Sequence, residues 1–486
     1  MELTKLIKFW ALPNANSSSS HALLIVSQGN VPKEELETPF QYGWENFILT
    51  SKLSKSQYMA VVVHDNLMNA PKIDLEILEI LNQLPLKSYN DLYELATTSN
   101  LNLDEINEIW ATLDKNSHYD IYIDHQSMIR LPKNRYGQPH LEFIKTFYNH
   151  VVNNPSIVIR GGNDNDDELP EVDYDDDLSS KIAFESQYVL QDGEYWIAYD
   201  RVNGHKKTFT FNHNLKSEDY IPSFPYLVDL KITDYCNSKC EFCYQASTNK
   251  GRHAPLDYIK SVLDALHEHG VFEIALGGGE PTSHPQFIEI LEYAYNLGFM
   301  TNFTTKSVDW VYNKENFDTI RKYVTAIAFS YDGKNFDNLV FLDTHFKGVR
   351  DNSTNLMIQV IPELLSTTEL RFISLWCAKR YKVLTLLGYK FTGRGKNFEV
   401  SDLLVNEKTN VETLIKSDDF WKLSCDTALM QRYDFLTHNI PKTHYHTTEG
   451  QFSVYVDACA KVIGKSSYHL DTFKPFDVDK PDLKFI

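Results

Sequence analysis

The chain has 486 residues, 42% of them hydrophobic and 13% aromatic, a composition that supports a substantial core and excludes global disorder. At that length about two to four domains are expected. The formal net charge of −19 argues against a protein that works on nucleic-acid backbone, which draws on clustered Lys and Arg.

The N-terminus reads M-E-L-T-K-L-I-K-F-W, without the apolar core of a signal peptide, and no run approaches the roughly 18 apolar residues of a membrane span. A cytoplasmic protein with no membrane partner is expected. Residues 1–73 read as a mixed α/β segment. Ala22 to Val26 and Tyr58 to Val63 are short apolar runs expected to be buried strands, and Ser17 to Ser20 a flexible loop. From Asp74 the texture turns helical. Leu75, Ile77, Leu78, Ile80 and Leu81 recur as one face. Ser88 with Asp91 starts a second helix, and Asn102 with Glu105 opens a third carrying Ile106, Ile109, Trp110 and Leu113. With two alternating strands, His118 to Asp124 and Gln126 to Leu131, residues 74–133 resemble a winged-helix module. Asp104, Glu105 and Glu108 on its third helix speak against DNA contact. Capture of an extended peptide at a sheet edge and plain packing both stay open.

Residues 134–178 form a connector with an acidic linker, nine acids lying between Asp164 and Asp177. The run lacks the D-x-D-x-D-G order of a calcium loop, and such self-repelling stretches are solvated. Residues 179–220 are expected as a β-meander of Tyr188 to Asp192, Tyr195 to Arg201 and Lys207 to Phe211, turning at Gly193 and at Asn203-Gly204.

The chemistry gathers next. Cys236, Cys240 and Cys243 make a C-x3-C-x2-C triplet after the strand-like run Tyr226 to Ile232, and A-L-G-G-G-E-P-T-S-H-P follows at Ala275 to Pro285. Structural zinc takes four closed ligands, and no second Cys or His pair follows at such a spacing. Three thiolates within eight residues suit an iron–sulfur cluster with one iron left for a non-protein ligand. Six Cys in all are too few and too uneven for a disulfide framework.

In these residues the chain resembles the radical S-adenosylmethionine (radical SAM) enzymes. The resemblance implies a [4Fe-4S] cluster on Cys236, Cys240 and Cys243, with S-adenosylmethionine (SAM) chelating its open iron. SAM is then cleaved to a 5′-deoxyadenosyl radical that abstracts hydrogen from substrate. The resemblance assigns the backbone of Phe242 to the adenine, and Gly278, Gly279 and Glu280 to the methionyl ammonium. The physics agrees, since glycine lets backbone approach a ligand closely and a carboxylate partners an ammonium. An external electron donor such as flavodoxin or ferredoxin is implied too. With the winged-helix-like module, the substrate is expected to be a ribosomally made peptide or protein, modified for instance by epimerisation or cross-linking. A small metabolite or nucleotide is the alternative substrate, and a non-catalytic metal-stabilised interaction protein the alternative class.

Over residues 221–400 strands and helices alternate. The strands are Tyr226 to Thr233, Phe272 to Leu276, Met300 to Thr305, Thr325 to Tyr331, Leu356 to Ile361 and Val383 to Tyr389. The helices are Leu256 to His269, Gln286 to Leu297, Phe317 to Tyr323, Phe336 to His345 and Leu370 to Tyr381. Such alternation predicts an α/β fold, a parallel sheet with right-handed crossovers, and agrees with the partial (β/α)6 barrel of the radical SAM family. Ligands lie beyond the carboxyl ends of such strands. There the resemblance to family members makes Ser330 and Gln359 candidates to touch SAM, and Asn302, Thr304 and Thr305 could line the same pocket more weakly. Ser330 and Asp332 stand in S-Y-D-G, which reads equally as an Asp-Gly turn. Arg394 in T-G-R-G could meet a substrate carboxylate or phosphate, or cap the barrel through a salt bridge. His284 is read as structural.

Residues 401–486 are a C-terminal extension. Only Cys425 and Cys459 follow the barrel, so an auxiliary four-Cys cluster is not expected, and Cys377 has the helical spacing of a core residue. Phe452 to Cys459 alternate, placing Asp457 and Cys459 opposite an apolar face. Cys459, and less so Cys425, are candidate hydrogen-atom donors that quench a substrate radical. His438, His444 and His446 read as solvated.

Overall fold

The computed structural model describes residues 219–346 and 355–485, except 398–399, 418–421, 439–444 and 446, and parts of the first half between residues 7 and 216. The winged-helix-like reading of residues 74–133 falls almost wholly outside the described residues, as do the acidic linker, Ser17 to Ser20, His444 and His446. The chain divides into two compact units, residues 1–200 with 206–214, and residues 201–205 with 215–486.

The first unit contains an antiparallel sheet in the order Ile7–Trp10, Ala22–Ser27, Ile157–Gly161, Phe47–Leu49. Ala22–Ser27 is thus a strand as its apolar run predicts. Tyr58 to Val63 is not: its described residues are helical. A short apolar run carries no period by which a buried helix could be told from a buried strand. Tyr58 packs edge-on against Tyr42, ring centroids 5.0 Å apart. Lys55 is fully buried and donates to the carbonyls of Val151, Asn154 and Ile157 at 3.0, 2.6 and 2.9 Å, which compensates its desolvation. The expected meander forms a three-stranded sheet, Tyr188–Asp192, Tyr195–Tyr199 and Lys206–Thr210, with Gly193 supplying φ +61° at its first turn.

The second unit is an α/β layer structure. Its strands are β1 (Leu227–Thr233), β2 (Glu273–Gly278), β3 (Met300–Thr305), β4 (Ala326–Ser330), β5 (Asn355–Val360), β6 (Val383–Leu386), β7 (Lys422–Cys425), β8 (Ser453–Asp457), β9 (Val462–Gly464) and β10 (Lys474–Pro475). They form one sheet in the order β7-β6-β5-β4-β3-β2-β1-β8-β9-β10. Every pairing from β7 across to β8 is parallel, and the last two are antiparallel. The six expected strands are present in chain order, and β7 and β8 from the C-terminal extension lengthen the sheet at its two ends. This mostly parallel sheet is the radical SAM partial-barrel fold expected above.

The helices between strands cover one face. The first, Leu256–Glu268, buries Ile259, Val262, Leu263 and Leu266, the i, i+3, i+4, i+7 stripe of an amphipathic helix. The fifth, Thr367–Ala378, is started by a Ser366–Glu369 capping box and buries Leu370, Ile373, Trp376 and Cys377. Cys377 is the core residue it reads as, 1% exposed. Strand β1 shows how the faces divide: Val228, Leu230 and Ile232 join the helix-side core, so Asp229, Lys231 and Thr233 lie on the other, inner face. A parallel sheet packed on both faces reads as continuous apolar strands. Charges alternating along β1 mark the inner face as something other than core.

Candidate active site

The cysteine loop leaves β1 at its carboxyl end and is tied back to itself. The amides of Asp234 and Cys236 donate to Arg252 and Thr248 carbonyls at 2.8 and 2.9 Å, and Ala254 returns to Ile232 at 3.0 Å. All three Cys are free thiols, each half-buried. Cys236 turns to the Ser238 carbonyl at 3.8 Å, and burial, the largest influence, raises its pKa. Cys240 accepts from Lys306 Nζ at 3.3 Å. Lys306 is also ion-paired to Asp332 and sits 5.9 Å from the Phe242 ring. Burial alone would lower the Lys306 pKa, but the Asp332 hydrogen bond and the Cys240 sulfur outweigh it and the pKa is raised.

The glycine segment after β2 is built against this loop. The Gly279 and Glu280 amides donate to Thr233 and Tyr235 carbonyls at 2.7 and 2.8 Å. A Cβ on Gly278, at φ +126°, would sit 2.2 Å from the Thr233 oxygen, and one on Gly279 would sit 2.0 Å from the Tyr235 oxygen. Neither position tolerates a side chain. The Glu280 carboxylate differs from its expected role. It is 5% exposed and accepts from the Thr282 and Thr305 hydroxyls at 2.6 and 2.8 Å. It also accepts the amides of Thr282, Lys306 and Ser307 at 3.3, 3.1 and 3.3 Å. Those five donors fill a carboxylate's lone pairs. Glu280 therefore knits the ends of β2 and β3 together. Thr305, 1% exposed, is part of this knot rather than a pocket residue.

A second clamp comes from the segment after β6. Arg394 donates from Nε to the Cys240 carbonyl and from a terminal nitrogen to the Ser247 carbonyl, both at 2.9 Å, and its amide reaches the Cys243 carbonyl at 3.0 Å. Gly393, at φ +56°, lies so close that a Cβ would fall 2.2 Å from the Tyr244 oxygen. Arg394 makes no capping salt bridge among the described residues; its fork holds the cysteine loop. Thr304, Ser330 and Gln359 do share the inner face near the strand ends. Ser330 and Gln359 are directly paired neighbours, and Thr304 alternates with buried Phe303 and Thr305. Asp332 is held by Lys306 and caps its turn by accepting the Lys334 amide at 3.1 Å, beside Gly333 at φ +80°. His284 is structural, one ring nitrogen 2.9 Å from the Ala254 carbonyl.

The two remaining candidate thiols part company. Cys425 pairs with Leu386 in register and packs with it against the helix-side core, so it faces away from the inner face. Cys459, in the turn two residues past β8, also packs partly against the core, but its thiol lies 3.6 Å from the Arg252 carbonyl at the foot of the cysteine loop. Burial first, and Asp234 and Asp457 next, push its pKa up to about 12, which keeps the S–H intact.

Sequence reading missed several charged inner-face residues. Lys231 pairs with Asp234 at 2.5 Å and Asp457 at 3.1 Å, and Lys390 with Asp426 at 3.0 Å. The V-D-L-K-I-T alternation of β1 was the available signal.

Residues 230–353 match the radical SAM superfamily. That segment is a radical SAM domain. The chain's radical SAM domain is 32% identical over 111 residues to GTP 3′,8-cyclase of Haemophilus influenzae, covering 22% of this chain and 33% of that one. It is 34% identical over 86 residues to PqqA peptide cyclase of Bradyrhizobium diazoefficiens, covering 17% and 23%. The chain thus spans a third or less of these curated relatives. Streptococcus suis SuiB bound to precursor peptide SuiA superposes with a TM-score of 0.42 at 17% identity, over 56% of this chain and 66% of that one. A cluster fits the radical SAM loop by the chemistry of its donors, three free thiols within eight residues. They are not drawn into a preformed tripod: among the described residues no three His, Cys, Asp or Glu converge as a metal site.

Proposed function

We propose that the chain binds a [4Fe-4S] cluster through Cys236, Cys240 and Cys243, binds SAM beside it, and modifies a ribosomally made peptide or protein. The bound cluster would supply the electron that splits SAM, giving a 5′-deoxyadenosyl radical able to take hydrogen from substrate. The observation that carries the reading is the backbone seam joining Gly279 and Glu280 to Thr233 and Tyr235, which fixes the G-G-E segment against the cysteine loop within the superfamily match. The chain's own residues then divide the work. Arg394 and Gly393 hold the loop, and Lys306 places a positive charge at Cys240. The backbone of Phe242 and of Gly278 to Glu280, with Thr304, Ser330 and Gln359, lines the SAM site. Cys459 is the candidate donor of a closing hydrogen atom. An external flavodoxin or ferredoxin would deliver the electron, in keeping with a cytoplasmic enzyme.

Similarity to a peptide cyclase supports a peptide substrate, and so does the charge of the inner face. Similarity to a GTP cyclase favours a nucleotide as the second reading. A triphosphate, however, would have to approach Asp229, Glu273 and Glu449, which repel it. The test is anaerobic reconstitution with SAM and reductant, followed by mass spectrometry of short peptides encoded beside this protein, with GTP in parallel. A mass change in a peptide together with 5′-deoxyadenosine is expected. Turnover of GTP and of no peptide would overturn the peptide reading.

A further inference from the structure

The inner face carries one carboxylate without a hydrogen bond or ion pair among the described residues. Asp229 lies mid-strand in β1, paired in register with Ala275 on one side and Tyr455 on the other. Its side chain is nevertheless exposed. With a strand bonded along each edge, that exposure is to the space over the inner face. No hydrogen bond or ion pair among the described residues reaches the carboxylate. The nearby cations are committed elsewhere: Lys231 to Asp234 and Asp457, Lys390 to Asp426. Three other carboxyl groups, Glu449, Glu273 and Asp426, lie close enough to act on Asp229 electrostatically.

The polar groups around it point to the same kind of ligand. The register row through Asp229 runs Tyr455, Asp229, Ala275, Asn302, Ala326, Asn355. Asn302 gives its amide nitrogen to Glu273 at 2.9 Å, leaving its buried carbonyl oxygen without a donor. Farther along the same face, five strands from Asp229, Thr385 alternates with core-facing Leu384 and Leu386; it is 8% exposed, and its hydroxyl has no partner among the described residues. The small side chain of Ala275 leaves room over the sheet between Asp229 and Asn302, two strands or about 10 Å apart. The face therefore has oxygen acceptors in excess and lacks N–H donors.

We propose that Asp229 anchors a cationic group of the substrate, an alkyl ammonium or guanidinium lying over Ala275. This rests on the reading above that substrate enters the inner face, and it narrows that substrate to one with a basic side chain or amine. Asp229 opens onto a space enclosed by protein, and the resulting desolvation, the largest influence, with Glu449, Glu273 and Asp426, raises its pKa to about 6 against the opposing pull of Lys390. That is the behaviour of a carboxylate waiting for a counter-ion.

The test uses the reconstituted full-length protein with SAM bound and three probes: n-butylammonium, n-butylguanidinium and neutral n-pentanol. Binding is followed by ligand-observed NMR at neutral pH. At least one cation should bind about tenfold or more tightly than pentanol, and the better cation distinguishes a lysine-like from an arginine-like group. Asp229→Asn should erase the preference, and Asp229→Glu should keep most of it. Cation binding to the unaltered protein should weaken as pH falls through about 6, where the carboxyl gains its proton, while pentanol binding stays flat. Glu449 and Glu273 also lie close enough to act on Asp229, so the pH arm is repeated on Asp229→Asn, where the weakening should vanish. Equal binding of the three probes, no saturable cation binding, or a preference that survives Asp229→Asn would each overturn the proposal. SAM cleavage by the unaltered protein is read separately, so loss of the enzymatic reading would show as absent 5′-deoxyadenosine and leave these titrations intact.

Discussion

At the scale of single residues, Glu280 and Asp229 are opposite uses of one functional group. Glu280 is a buried carboxylate with every lone pair answered, so its removal strips the Thr282 and Lys306 amides of their acceptor, while the Ser307 amide keeps the Thr305 hydroxyl. Glu280→Ala is expected to destabilise the second unit by on the order of 3 kcal/mol, seen as a lowered melting midpoint, with Glu280→Gln milder. An unchanged melt would contradict the assignment. Asp229 has no hydrogen bond or ion pair among the described residues, and its folded pKa of about 6 lies above the ordinary carboxylate value of 3.8. The stability linked to it is thus present below the ordinary value and lost as pH rises through about 6. Asp229→Asn should therefore be more stable than the parent above pH 6 and equal to it in acid, by melts across the pH range. A residue kept at the expense of stability belongs to function rather than to folding.

At the scale of elements, the cysteine loop is shaped by two neighbours, the G-G-E segment and the T-G-R-G segment. Gly393→Ala forces a Cβ to 2.2 Å from the Tyr244 oxygen at a positive φ, and Arg394→Ala frees the Cys240 and Ser247 carbonyls. Both variants should reconstitute with less iron per chain and lose it faster to a chelator. Arg394→Lys should not rescue, because an ammonium lacks the planar fork. Full iron retention in both would place the clamp elsewhere. Much of this architecture was legible in the sequence. Period-2 strands, 3.6-period helices and the Cys and Gly spacings gave all six central strands and the face the site occupies. Other features were hidden for physical reasons. Whether Arg394 meets a ligand or a loop depends on which carbonyls the fold brings to its fork, and spacing does not encode that. Cys425 looks like Cys459 in sequence, and its register with Leu386, which spacing does not encode, places it on the core-facing side of its strand. Tyr58 to Val63 was misread because a six-residue apolar run suits helix and strand alike.

At the scale of the whole molecule, a basic peptide, the substrate proposed above, would be steered by long-range attraction to a net charge of −19. Raising ionic strength should lower kcat/KM for such a peptide several-fold and leave peptide-independent SAM cleavage unaffected. Salt-insensitive turnover would argue against steering. No described helix is long and apolar enough to cross a membrane. The central claim remains that three thiols on one loop make this chain a radical SAM enzyme. The most direct measurement is 5′-deoxyadenosine formed from SAM and reductant by the anaerobically reconstituted protein and by its Cys236→Ala, Cys240→Ala, Cys243→Ala and triple variants. The account predicts product from the parent and none from any variant, each with unchanged circular dichroism, because a three-thiolate site has no spare ligand. Product from the triple variant, or none from an iron-replete parent, would contradict it.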